Sequence, residues 1–252
     1  MQKRNKIVLN ENRYKFSYNN YVFWALAVVA PVCIKIVLNQ LINGIFANYL
    51  MSKEGITDIV ELNRRFADSG MGVMSTGIAS FLTLLIVLRL LKMDEINQIG
   101  GERYGLHKTT VTKAVCYAII AIILSVIINY AVNIIFSSAM AGYKMTERVL
   151  FSGDLLFRLL VLGIISPICE EYIFRVLVIK RLTIKVKMST AVVVSAFIFG
   201  IYHMNLMQGV YAVMMGLIIG YVYMKEKNIL IPVLMHASAN ITIILLEYCL
   251  KV

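Results

Sequence analysis

Ser166-Pro-Ile-Cys-Glu-Glu-Tyr-Ile-Phe-Arg175 sets two adjacent carboxylates and a guanidinium inside an apolar run that reaches from Leu155 to Ile179. A helix needs about 20 predominantly apolar residues to cross a bilayer, and this run is long enough. Glu170, Glu171 and Arg175 therefore lie at membrane depth, where a charge costs at least several kcal/mol and marks a functional site by default. Glu171 and Arg175 are four residues apart, acid first, which is the favourable order for an ion pair on one helix face. Glu170 points about 100° away and has no basic residue one turn on. On its own helix it is the unpaired acid, suited to proton transfer, while Glu171 is suited to structure. The bland alternative is that both acids pair with basic residues on other helices.

The rest of the chain agrees with a membrane setting. Of 252 residues, 60% are hydrophobic, only 15% are charged and 3 are proline, and the mean hydropathy is +0.77. The expected fold is all-α: one domain over 1–252, a polytopic membrane helix bundle of about seven transmembrane helices. The runs are 21–47, 70–91, 111–136, 154–180, 189–203, 208–224 and 230–250, with a short helix over 56–66. Along the sixth run, Gly209, Ala212, Gly216 and Gly220 recur every three or four positions, the pattern of a helix that packs closely on a neighbour.

The net charge of +11 lies between the runs rather than along a stripe with interleaved aromatics, so no nucleic-acid partner is expected; lipid and topology explain it. Segments on one side carry 16 Lys and Arg against 6 on the other. By the positive-inside bias the N-terminus, with its basic segment 1–20, is cytoplasmic. The multi-pass chain is then expected in a cell membrane, a bacterial plasma membrane. Cys33, Cys116, Cys169 and Cys249 each fall in an apolar run without a CxxC pair, which predicts buried free thiols.

Among the three histidines, His107 sits in a basic loop and reads as a surface residue. His203 and His236 sit in or at the end of apolar runs, and Asn240 lies one turn beyond His236 on the same face. At about 1.5 Å per residue, Glu170, His203 and His236 can share one depth within ordinary helix tilt. A glutamate and a histidine can hold and deprotonate a water, and a histidine with an asparagine can donate to an oxyanion. The same Glu170, His203 and His236 could instead ligate Zn²⁺, although no HExxH is present.

Glu170-Glu171-x-x-x-Arg175, Phe199-x-x-x-His203 and His236-x-x-x-Asn240 resemble the three motifs of the CAAX protease and bacteriocin-processing family (CPBP, or Abi). The likeness covers about 150–250, the expected catalytic core. It implies an intramembrane endopeptidase acting on a peptide or membrane-protein substrate. By that resemblance Glu170 activates water with His203, Glu171 and Arg175 support it, and His236 with Asn240 binds the oxyanion. It implies no cofactor, with zinc as the variant reading. Two other classes remain open. One is a non-enzymatic membrane protein, an immunity factor or a scaffold for a membrane partner protein. The other is a proton-coupled transporter, which would more often show repeats and broken helices.

Overall fold

A computed structural model describes residues 21–96, 111–136, 148–149 and 152–250. The basic segment 1–20 and His107 lie outside these residues. The molecule is an all-α polytopic bundle, with no strand among the described residues. We number the helices α1 (Tyr21–Glu54), α2 (Ile59–Asp68), α3 (Met71–Ile96), α4 (Val111–Ile135), α5 (155–182), α6 (Met188–Tyr202), α7 (Leu206–Glu226) and α8 (Leu230–Leu250). Five of them, α1, α3, α4, α7 and α8, are long and apolar enough to cross a membrane. α5, which is interrupted, and the shorter apolar α6 occupy the other two places where the sequence suggests spans.

The helix starts follow their caps. Asp58 accepts from Val60 N and Glu61 N to open α2, and Asp154 accepts from Phe157 N to open α5. Asn205 opens α7 by accepting from Met207 N and Gln208 N. α2 is a short amphipathic helix between spans, where Arg64 and Arg65 hold the exposed Glu61 carboxyl down at about 2.

α5 is the central pole. Val161, Cys169, Ile173, Phe174, Leu177, Val178 and Ile179 are all buried, with α3, α6 and α8 packed around it. α1 and α4 instead expose Val37, Leu41, Ile45, Ile119, Ile123 and Ile127 on the outside of the bundle. In lipid an apolar side chain gains little by moving from acyl chain to protein, so close packing and polar contacts select which helix is central. The same physics corrects the reading of the cysteines: Cys169 is buried, while Cys33, Cys116 and Cys249 are exposed. In a membrane bundle an apolar surrounding can be lipid.

α6 and α7 meet along the small residues of α7. A Cβ on Gly200 would stand 2.8 Å from the Gly209 carbonyl oxygen, and one on Gly220 would stand 2.7 Å from Val192 Cγ1. Gly216 faces Ala196, with 3.2 Å to its Cβ. The expected close contact is therefore present, and the two helices are joined by a turn in which Met204 takes a positive φ of 52°. That turn places His203 at the C-terminal end of α6.

Candidate active site

The site is built on α5, and α5 is not a regular α-helix. Val161–Ile165 and Tyr172–Ile179 are π-helical turns, and between them Ser166–Glu171 is α-helical. Pro167 lacks an N–H donor, so the helical ladder is interrupted at this point. Such wide turns are frequent at functional sites. In the second of them the Phe174 carbonyl accepts from Ser195 Oγ at 2.9 Å, tying α5 to α6.

Glu171 and Arg175 form the expected pair, Nε to Oε2 2.9 Å, both fully buried. The Arg175 guanidinium also lies over the Phe199 ring at 5.5 Å. The other carboxylate oxygen, Glu171 Oε1, accepts from His236 Nδ1 at 2.8 Å. With Nδ1 donating, a neutral His236 presents the lone pair of Nε2, which is 3.8 Å from Glu170 Oε2. Arg175, Glu171 and His236 thus make a relay of held groups that ends at Glu170.

Glu170 itself corrects the sequence reading. It has a basic partner on another helix: Lys35 Nζ of α1 lies 2.7 Å from Glu170 Oε1, with Lys35 2% exposed. Ser166 Oγ donates to the same oxygen at 2.7 Å, and Tyr202 Oη approaches it at 3.4 Å. Helical spacing reveals only partners three or four residues away, and Lys35 is 135 positions distant. The signal was nevertheless present. Lys35 is a charge inside an apolar helix and needs a counter-charge, and Glu170 was the acid left over. Ser166 is one turn before Glu170 on the same face, and Tyr202 adjoins His203.

His203 Nδ1 lies 2.8 Å from the Phe199 carbonyl oxygen, one turn back on α6, so it donates there and a neutral ring keeps Nε2 as acceptor. The ring stands edge-on to Phe199 at 4.8 Å and to Tyr202 at 5.2 Å. Asn240 Nδ2 donates to the Leu162 carbonyl oxygen at 3.0 Å, a carbonyl in the first π-turn of α5. His236 and Asn240 are thus on one helix but are held by different partners.

Lys35, Ser166, Glu170, Tyr202, His203 and Asn240 all line one cavity of about 520 Å³. Carboxamides line it further: Asn39 and Asn43 from α1, Asn129 and Asn133 from α4, and Gln208 from α7. Ser75 Oγ shares its proton between Asn43 Oδ1 and Asn39 Oδ1, the latter at 3.2 Å. Side chains of this kind at membrane depth face a polar cavity or the bundle interior. Among the described residues, no group of three or more His, Cys, Asp and Glu side chains is placed to hold a metal ion. An ammonium 2.7 Å from Glu170 Oε1 would also repel a dication at that carboxylate.

Residues 152–242 match the family described as type II CAAX prenyl endopeptidase Rce1-like. This segment is similar to that family. Its range includes Glu170, Glu171, Arg175, His203, His236 and Asn240. Over 89 residues the chain is 30% identical to a Bacillus subtilis protein described as "Putative membrane peptidase YdiL". The aligned stretch spans 35% of this chain and 36% of that relative, about a third of each. No solved structure matches. At the level of family these findings support a membrane-embedded protease. Lys35 and the carboxamides of α1 and α4 lie outside the Rce1-like segment.

Proposed function

We propose that this protein is an intramembrane endopeptidase that hydrolyses a peptide bond of a peptide or membrane-protein segment with a water activated by Glu170 and histidine. The observation that carries the reading is the approach of Glu170 Oε2 to His236 Nε2 at 3.8 Å, each group anchored from behind. Glu170 Oε1 is committed to Lys35 and Ser166, and His236 Nδ1 to Glu171. One water can contact both remaining atoms. His203 and Glu170 line the cavity a substrate would enter.

In this reading a substrate carbonyl carbon stands next to that water. Glu170 takes a proton from the water as the oxygen attacks, and the carbonyl oxygen becomes an oxyanion. The second N–H of Asn240 Nδ2, whose first bonds to Leu162, is the donor available to that oxyanion. A protonated His203 would be a second. Collapse breaks the C–N bond, and the proton held by Glu170 passes to the leaving amine. A carboxylic acid and an amine result, the acid then giving up its proton to the amine or to water, with no group left on the enzyme. The carboxamides suit such a substrate, because each can donate and accept as a peptide backbone requires. No cofactor or metal is needed for these steps. In this reading the chain sits in a bacterial plasma membrane with its N-terminus in the cytoplasm, the orientation that the positive-inside bias favours.

The test compares the membrane peptidomes of cells carrying the wild-type chain and Glu170→Gln, a variant that keeps size and a hydrogen-bond acceptor. New N-termini present with the wild type and lost with Glu170→Gln are expected. Equal sets of cleavage products would remove Glu170 from the chemistry. For orientation, Ser189→Cys in a background without the exposed cysteines should react with an impermeant maleimide only from the cytoplasmic side. Reaction only from outside would invert the assignment.

A further inference from the structure

The Rce1-like segment does not complete its own site. Glu170 Oε1 accepts two short hydrogen bonds, from Ser166 Oγ and from Lys35 Nζ, each at 2.7 Å. Lys35 also donates to Ser166 Oγ at 3.1 Å, and Ser80 of α3 approaches that hydroxyl at 3.4 Å. The Lys35 ammonium is further placed 5.1 Å from the Tyr202 ring centroid, and Tyr202 Oη reaches the same carboxylate oxygen. Three helices, α1, α5 and α6, thus converge on one oxygen atom, and α3 reaches the Ser166 hydroxyl beside it. A carboxylate rotates freely about its last bond when both oxygens are alike to their surroundings. Here they are not alike. One is fixed by a cation and hydroxyls, and the other is turned to His236 Nε2.

We propose that Lys35 is a positioning residue for Glu170: α1 supplies the cation that pins Oε1 and so aims Oε2 at the water and at His236. This rests on the peptidase reading above. The alternative is an ion pair that only holds α1 to α5. Both uses require the pair, but only positioning makes catalytic turnover depend on the atom that Lys35 fixes. A misplacement of about 1 Å in a reacting group can lower turnover about 100-fold.

The experiment uses the full chain in proteoliposomes, with a synthetic peptide spanning the most abundant cleavage site found with wild-type protein in the peptidome comparison. Lys35→Met keeps the length of the stem and removes the charge. It should lower kcat about 100-fold with KM changed less than about threefold, and Lys35→Arg should recover at least about tenfold of the loss. Ser166→Ala and Tyr202→Phe remove the lesser anchors and should each lower kcat by a smaller factor. They carry the test if Lys35→Met does not fold. Wild-type kcat in a folded Lys35→Met, or in both lesser variants if it does not fold, would overturn the role of Lys35 and leave the peptidase reading standing. A wild-type protein that cleaves nothing would overturn the peptidase reading and this role with it.

Discussion

Glu170 and Glu171 are neighbours in sequence with different employment, and their partners decide which is which. Glu171 is saturated by Arg175 on one oxygen and His236 on the other. Glu170 keeps one oxygen uncommitted. Removing Arg175 would leave a fully buried carboxylate with only a histidine beside it, and breaking a buried pair costs about 3–5 kcal/mol. Arg175→Ala is therefore expected to lower the melting temperature of detergent-purified protein well before any question of chemistry arises. Melting like wild type would show that the pair carries no stability. The spacing of four made Glu171–Arg175 legible in the sequence, because both partners lie on one helix. The partner of Glu170 was not legible in that way. Lys35 is brought to it by tertiary packing, and only a balance of intramembrane charges could have proposed the match. The roles of the histidines depend on which ring nitrogen donates; for His236 that is fixed by the Glu171 side chain on α5, which no spacing rule locates, and for His203 by the Phe199 carbonyl one turn back on α6.

At the scale of elements, the helices were readable almost to their ends, since apolar runs of membrane length have few alternatives. α8 has the expected bounds, and α1 continues seven residues past the expected end at 47, to Glu54. What was not readable is the irregularity of α5. A π-turn adds one residue to a turn and leaves no compositional mark beyond Pro167. The small-residue stripe of α7 was readable because glycine at a helix contact has a direct physical meaning: two backbones come close. Gly200 is its counterpart on α6, and a Cβ there would meet the Gly209 carbonyl and the Val213 side chain. Since a carbonyl in a helix cannot move aside, Gly200→Ala should force α6 and α7 apart, at about 1–3 kcal/mol for overpacking. It should also shift His203, three residues on. Gly44, with nothing within 4 Å of an added Cβ, is the matched control. Thermal melting of the two alanine variants checks this. Equal stability of both would mean that the α6–α7 contact is slack.

For the whole molecule, the bundle is a scaffold that brings three groups of residues to one cavity at membrane depth: Ser166 and Glu170 of α5, Tyr202, His203 and Asn240 of α6 and α8, and the lysine and carboxamides of α1. His236, held by Glu171, meets Glu170 from beside that lining. The family-matched segment holds the first two groups, and the helices before it supply the third. This division explains why the motifs pointed to the chemistry while the first 150 residues gave only helices and hydrophobicity. It also explains why a cavity whose wall is largely apolar by area carries so many hydrogen-bonding groups, since α1, α4, α5, α6, α7 and α8 each contribute at least one. The central claim is that Glu170 activates water for peptide hydrolysis without help from a metal ion. The direct measurement incubates purified wild-type protein and Glu170→Gln, each in proteoliposomes with a strong chelator, with solubilised membrane proteins, and counts new N-termini by mass spectrometry. The account predicts cleavage products with the wild type that survive chelation and vanish in Glu170→Gln. Products that disappear on chelation and return with zinc, or that persist in Glu170→Gln, would contradict it.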